Sequence, residues 1–258
     1  LAMRAILHAR MGELDDAISL GEAALAIHDA TGEGIGGRRA RPTTLYVLGI
    51  VHMFKGALDK AQSLFEHSVE QANEIGDALA VGLAKSGLGQ VASRRGQQEL
   101  ALSKLTEAMA QLDGVGDRAL ECETRLHLSA EFARCGRLDE ALQAADQARA
   151  RLADSGCRPA RACAHCYLAE IELMRDNPTL AEGHLEIAEQ LLVGLNDVTI
   201  ECRLREVTGY SAIYRRQFKV GTHALRAAIE LARRSGDVAV QARIVARLTA
   251  LQTTEDAA

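Results

Sequence analysis

The sequence of 258 residues contains no tryptophan, and aromatic residues make up 3% of it. A core of this chain must therefore be built from Ala, Leu, Ile and Val, and a hydrophobic content of 48% supplies enough of them. Such a composition suits closely packed helices. Proline is scarce, and Pro42, Pro159 and Pro178 each read as opening a helix, where the missing N–H would be unpaired in any case. Charge of one sign does not dominate: 30 basic and 35 acidic residues are interspersed, for a net charge of −5. That balance argues against a nucleic-acid partner, which calls for a basic stripe or patch. The local basic cluster, Arg38-Arg39-Ala40-Arg41, reads as a solvated loop. No apolar run is long enough to cross a bilayer and no stretch reads as a signal peptide, so no membrane partner is expected. Six cysteines in a chain this long do not make a secreted disulfide framework, and reduced thiols in a cytoplasm fit better. The chain opens on Leu1, inside what reads as the tail of a helix already under way, so it is expected to be a piece of a longer protein.

What is present is a repeat. The stretch Gly136-Arg137-Leu138-Asp139-Glu140-Ala141-Leu142 reads as a tight turn followed by a helix start, and it recurs at Gly12 to Ala17 and Gly56 to Ala61. A degenerate copy starts at Gly96, and worn copies start at Asp176 and Arg216. From Gly56 onward the turn residues stand at 56, 96, 136, 176 and 216, a period strict enough to mean a repeat array. A second mark closes each unit: Gly32, Gly76, Gly116, Gly156 and Gly236, with Asn196 in the remaining slot. Glycine suits that position because it accepts the left-handed backbone, and Asn is next best. An Asp follows at 77, 117, 197 and 237, placed to cap the next helix.

Two marks per unit predict two antiparallel helices per unit. The expected helices are 1–11, 13–31, 41–55, 57–75, 78–95, 97–113, 118–135, 137–154, 159–175, 177–193, 198–215, 217–235 and 238–252. They form one domain over 1–252, with units at about 1–31, 41–75, 78–115, 118–155, 159–195 and 198–235, a capping helix at 238–252 and a frayed tail at 253–258. The first interval is longer than the others, and the extra residues fall in Glu33-Gly34-Ile35-Gly36-Gly37-Arg38-Arg39, read as a loop. This Gly-rich stretch lacks the Gly-Lys-Ser/Thr ending of a phosphate loop and a preceding strand.

Alignment on the turn produces columns of small residues. One holds Ala17, Ala61, Ala101, Ala141, Ala181 and Gly221, another Ser68, Ala108, Ala148, Ala188 and Ala228, and a third Gly49, Gly89, Ser129, Ala169 and Gly209. Large residues recur four after the first column, at Phe65, Leu105, Leu185 and Leu225. Over essentially the whole chain these columns resemble the tetratricopeptide repeat, whose signature is Leu-Gly in the first helix and Gly-x-x-x-x-Ala opening the second. Two departures stand out: the unit exceeds the usual length of about 34 residues, and Gly-Asp replaces the late proline. The resemblance implies an all-α, right-handed superhelical solenoid of antiparallel helix pairs. Long Gly-Asp repeats are similar to those of multidomain signalling proteins, among them large bacterial transcriptional activators, cyclases and kinases, and to kinesin light chain. The Ala- and Arg-rich composition points to a bacterial source.

The resemblance also implies that the first helix of each unit lines a concave, partner-binding face. The outward positions would be Tyr46, Ile50, Met53 and Phe54, then Ser86, Gln90, Ser93 and Arg94, then Leu126, Ala130 and Arg134. Cys166, Glu170 and Met174 follow, and Glu206, Tyr210, Ile213 and Tyr214 complete the set. Exposed aromatics and arginines are the usual anchors of interfaces, so a protein or peptide is the expected partner. Family members that clamp a terminal carboxylate carry Lys and Asn where this chain has Tyr46 and Ile50, so that clamp is not expected. Homo-oligomers through the solenoid ends, and a small-molecule or signalling-peptide sensor, are the alternatives.

No catalytic constellation appears. The eight histidines are scattered without a recurring Ser, Cys or Asp partner, and Asp15-Asp16 and Asp139-Glu140 sit where they favour helix dipoles. Cys157, Cys163, His165 and Cys166 fall close together, but on a helix Cys163 and Cys166 share a face from which His165 points away. A zinc site needs four converging ligands, so these cysteines read as small packing residues. No cofactor, metal or enzymatic activity is expected.

Overall fold

Small residues at fixed spacing let helix backbones approach closely, and the chain folds as a stack of helix pairs. The computed structural model describes residues 1–30 and 35–255, with side chains at 2, 3, 10, 35–39 and 251–255 left aside. Among the described residues there are thirteen helices and no strand: α1 Ala2–Met11, α2 Leu14–Ala30, α3 Ile35–Phe54, α4 Leu58–Glu74, α5 Ala78–Arg94, α6 Gln98–Leu112, α7 Arg118–Arg134, α8 Leu138–Leu152, α9 Arg158–Met174, α10 Pro178–Leu192, α11 Val198–Tyr214, α12 Phe218–Ser235 and α13 Val238–Glu255. The odd-numbered helices from α1 to α11 touch one another in series and form an inner layer, and the even-numbered helices pack outside them. The fold is an all-α solenoid of tetratricopeptide-like helix pairs.

Each pair is locked by a large residue seated on a small one. A Cβ added at Gly49 would lie 2.5 Å from the Phe65 ring, and one at Gly89 or Gly209 would lie 2.7 Å from Leu105 or Leu225. Where the partner of this column is Ala145, the small position can hold Ser129, whose Oγ donates to the Ala141 carbonyl at 2.8 Å. Ala17, Ala61, Ala101, Ala141 and Ala181 are all fully buried. The apolar interior divides into successive clusters along the stack, such as Leu126, Leu152, Leu168 and Ile171 between α7, α8 and α9. Stability of this kind accumulates from unit to unit rather than from one central core.

The expected caps are present. The carboxylates of Asp77, Asp117, Asp197 and Asp237 accept from the backbone N–H of Ala80, Leu120, Ile200 and Val240 at 3.0, 3.2, 3.1 and 3.1 Å. The left-handed turn residue is present even in the worn copies, where Asp176 (φ 66) and Arg216 (φ 61) occupy it without being glycine.

Several expectations are corrected. Pro42 lies inside α3 rather than at its start, and residues 35–41 are helical, so Arg38-Arg39-Ala40-Arg41 is not a loop. The proline removes a donor for the preceding turn. One local and two tertiary ties hold the helix through it: Thr44 Oγ1 donates to the Ala40 carbonyl at 2.9 Å, Ser68 Oγ of α4 donates to the Pro42 carbonyl at 2.8 Å, and Arg41 pairs with Asp29 of α2. Gly32 and the start of the Gly-rich stretch, residues 31–34, lie outside the described residues. Between α10 and α11 the left-handed position is taken by Gly194, not Asn196, because glycine adopts it at lower cost; Gly156 is not left-handed either. Helix α13 runs to Glu255, past the expected boundary at 252.

The superhelix brings its ends together. Helix α1 packs against α11 and α12 as well as α2 and α3. A Cβ added at Gly12 would meet the backbone carbonyl of Arg234, one at Gly236 the Leu14 side chain, and one at Gly56 the Val238 side chain, so the chain passes close at these turns. Arg94, at the end of α5, donates two hydrogen bonds to the Asp237 carboxylate, at 2.8 and 2.6 Å.

Candidate functional site

Helices α7, α9 and α11 of the inner layer, together with α13, line a recess of about 140 Å³. Its walls combine Ala130, Ala133, Ile171 and Met174 with Arg134, Arg203, Arg243, Arg247, Glu170, Glu206, Tyr167 and Tyr210. The polar side chains are held by one another. Arg203 donates to Glu170 at 2.7 Å and lies 3.7 Å from the centre of the Tyr167 ring. Arg243 donates to Glu206 at 2.7 Å, and the Tyr210 hydroxyl donates to the same carboxylate at 2.8 Å. Arg247 lies over the Tyr210 ring at 4.5 Å. Arg134 pairs with the buried Glu131 and donates to Ser93 Oγ at 3.1 Å.

The field in this recess is positive. Burial opposes charge on Glu170, yet Arg203, Arg243 and Arg134 together hold its carboxyl below the ordinary range. Burial, followed by Arg203, lowers the pKa of Arg134. His127, on the same face of α7, is driven down to about 3 by burial and by Arg203, Arg134 and Arg94, so its imidazole stays neutral.

Of the residues expected on the concave face, the structure brings Arg134, Glu170, Glu206 and Tyr210 into this recess, with Ala130 and Met174 beside them. Tyr214 is about half exposed at the end of α11, and Gln90 is partly exposed on α5. Met53, expected to point outward, is fully buried against Phe65 and Val91. Ser86, Leu126 and Cys166 are likewise buried between helices, and Glu206 lies beneath Arg243 and Tyr210. Tyr46, Ile50 and Phe54 pack partly into the Met53 cluster, and Arg94, over the Phe54 ring, is committed to Asp237. The apolar end of the face is therefore largely consumed by packing and by closure of the ends.

Sequence reasoning missed Tyr167, Arg203, Arg243 and Arg247. Arg203 and Arg243 stand one repeat period apart in the same column, which is the signal that could have found them. Arg243 and Arg247 lie on α13, which the repeat pattern marks only as a cap although it forms a wall of the recess.

The cysteines do not converge on His165. Cys166 is buried, and burial pushes its thiol well above the ordinary range. The His165 ring faces His184 instead, with 3.0 Å between their Nδ1 atoms. The group of potential metal ligands found close together among the described residues is His8, Glu13 and Asp16, at the turn between α1 and α2.

The fold and the recess define a class: a helical-repeat solenoid with a charged recess among its helices. Residues 40–113 match the family model described as tetratricopeptide repeat, which together with the fold supports a tetratricopeptide-repeat family. Comparison with curated proteins finds no match. Among solved structures, the chain is similar to a Rap protein complexed with Competence and Sporulation Factor, with a TM-score of 0.69 and 11% identity over 97% of this chain and 73% of that one. It is similar to NprR in complex with its cognate peptide NprX, with a TM-score of 0.65 and 11% identity over 98% and 72% of the two chains. BtubC from P. vanneervenii gives a TM-score of 0.60 and 16% identity over 89% and 90%. Identities this low establish the shared fold and nothing further. No described helix is long and apolar enough to cross a membrane.

Proposed function

We propose that the chain is a non-enzymatic tetratricopeptide-repeat scaffold that binds a peptide or a segment of a protein in its concave groove. The carrying observation is the recess between α7, α9, α11 and α13, where ion pairs and stacked rings hold arginine, glutamate and tyrosine side chains in place before any ligand arrives. Preorganisation of this kind cuts the ordering cost of binding. The recess is smaller than the 300–1,000 Å³ typical of small-molecule pockets, which favours an inserted peptide side chain over a whole small molecule. Two similar structures, Rap and NprR, are described as complexes with Competence and Sporulation Factor and with the peptide NprX, which supports a peptide ligand. On this reading the repeat units over 1–252 form the cytoplasmic interaction or sensor region of a larger bacterial signalling protein. Because α1 already meets α11 and α12 within the chain, association through the solenoid ends is the weaker alternative.

The test is selection of random peptides on the purified chain, followed by fluorescence anisotropy of the recovered peptides on wild type and on the Tyr210→Ala/Tyr214→Ala variant. Binding about tenfold weaker or worse is expected. Equal affinity would remove the groove as the binding surface.

A further inference from the structure

The recess contains more cation than its own carboxylates neutralise. Four guanidinium groups line it against two carboxylates, and Glu131 beneath Arg134 leaves an excess of one. The uncompensated cation is Arg247: among the described residues no carboxylate pairs with it, and its guanidinium is held by stacking on Tyr210. The rest of the chain runs the other way, with a net charge of −5, so the local excess is a property of this site and not of the whole surface.

The size of the recess fits one side chain. A volume of about 140 Å³ is well below that of a small-molecule pocket, about 300–1,000 Å³, and suits a single inserted side chain. A glutamate side chain has five heavy atoms, and its methylenes would meet Ala130, Ala133 and Ile171 while its carboxylate faced the arginines.

Resting on the groove reading above, we propose that this recess is the specificity subsite for an acidic side chain, Asp or Glu, of the bound peptide, with Arg247 as the principal partner and Arg134 beside it. Arg203 and Arg243 are occupied by Glu170 and Glu206 and act as positioning residues that hold the walls. Arg247 is exposed and stacked, so it can turn toward an incoming carboxylate without breaking an ion pair. Charge-assisted hydrogen bonds from a guanidinium to a carboxylate are among the stronger polar contacts.

The experiment uses pools of acetylated, amidated octapeptides in which one position is fixed as Asp/Glu, Asn/Gln, Lys/Arg or Leu and the others are randomised. Anisotropy on the purified chain is expected to show the Asp/Glu pools binding about tenfold more tightly than the Asn/Gln pools, with the advantage shrinking as salt is raised. Arg247→Glu should abolish or invert that preference, and Arg247→Lys should keep part of it. Circular dichroism confirms that each variant folds, and Arg247→Gln replaces the reversal should Arg247→Glu fail to fold. If peptides bind but acidic pools have no advantage, or if the advantage survives Arg247→Glu, the subsite assignment is overturned while the groove reading stands. If peptides lacking acidic side chains but ending in a free carboxylate bind as well as the Asp/Glu pools, the side-chain assignment is likewise overturned. If no pool binds, the groove reading itself falls.

Discussion

Replacing Gly12 by alanine tests whether the superhelix closes on itself. Gly12 has φ 86, and a Cβ there would run into the Arg234 carbonyl oxygen, which belongs to the backbone and cannot move aside cheaply. Gly96 (φ 74) and Gly136 (φ 74) occupy the same turn position with nothing within 4 Å of an added Cβ. Alanine at any of the three costs about 1–2 kcal/mol for the left-handed backbone, and its effect on the unfolded chain is the same in each case. The difference between Gly12→Ala and Gly96→Ala therefore isolates the contact between the ends. Overpacking against a rigid neighbour adds about 1–3 kcal/mol, unless the ends separate, in which case the Arg94–Asp237 pair and the packing of α1 on α12 are lost instead. Urea unfolding should show Gly12→Ala destabilised beyond Gly96→Ala, and small-angle scattering should show a larger radius of gyration for Gly12→Ala alone. Arg94→Ala, which removes the ion pair and leaves the turn intact, should fall between them. Identical unfolding curves and radii for Gly12→Ala and Gly96→Ala would refute closure.

Four other outcomes are expected. Ala141 is fully buried in the helix-contact column, so Ala141→Leu should cost about 1–3 kcal/mol by overpacking, read from its thermal melt. Arg216→Gly and Asp176→Gly relieve left-handed strain at exposed turns and should each stabilise by about 1 kcal/mol in urea unfolding. Phe65, fully buried with Gly49 and Gly87 on its ring, should cost about 3–5 kcal/mol as Phe65→Ala, because neither glycine has a side chain to refill the space. The His165–His184 pair should make stability depend on pH: burial, then the charge of His184 with Arg149 and Arg161, lowers His165 to about 4, while burial lowers His184 despite Glu172 and Asp146. The folded state then binds fewer protons than the unfolded one between the ordinary histidine pKa of about 6.5 and the folded values. Stability is complete above about pH 6.5 and falls as pH drops toward 4; replacing both histidines by glutamine should make that part of the profile shallower, with the buried, neutral His127 supplying part of what remains.

The period of the turns was legible because each unit spends its two punctuation positions on backbone conformations that few residues accept. That made the helix count, the Asp caps and the small-residue columns readable from residues alone. The same logic failed at Pro42, where a local rule for helix starts was overridden by the tie from Ser68 and the Arg41–Asp29 pair, which only the fold brings together. It failed again at Asn196, because a glycine two residues earlier could take the strained conformation more cheaply. The groove was half legible. Arg134, Glu170, Glu206 and Tyr210 stand at positions the repeat register marks, but the register cannot tell a residue that faces the groove from one tilted into the next helix. That is why Met53, Leu126 and Cys166 were expected outside and are buried.

The missed residues expose a link between closure and the groove. A capping helix would have needed only an apolar face toward α12. Instead α13 is preceded by Asp237, whose carboxylate both accepts from the Val240 N–H to cap the helix and accepts the two hydrogen bonds of Arg94 from α5. Its N-terminus is thus fixed against the first half of the array, while Arg243 and Arg247 further along reach Glu206 and Tyr210 in the second half. One helix joins the contact between the ends to the wall of the recess. If closure is released, α13 loses its anchor to α5 and the position of Arg247 is no longer fixed from both sides. If the recess binds peptide as proposed, affinity and end-to-end closure are coupled: Arg94→Ala, which is not part of the recess lining, should weaken binding of acidic peptide pools. Unchanged affinity in that variant would show that α11 and α12 alone hold α13 in place.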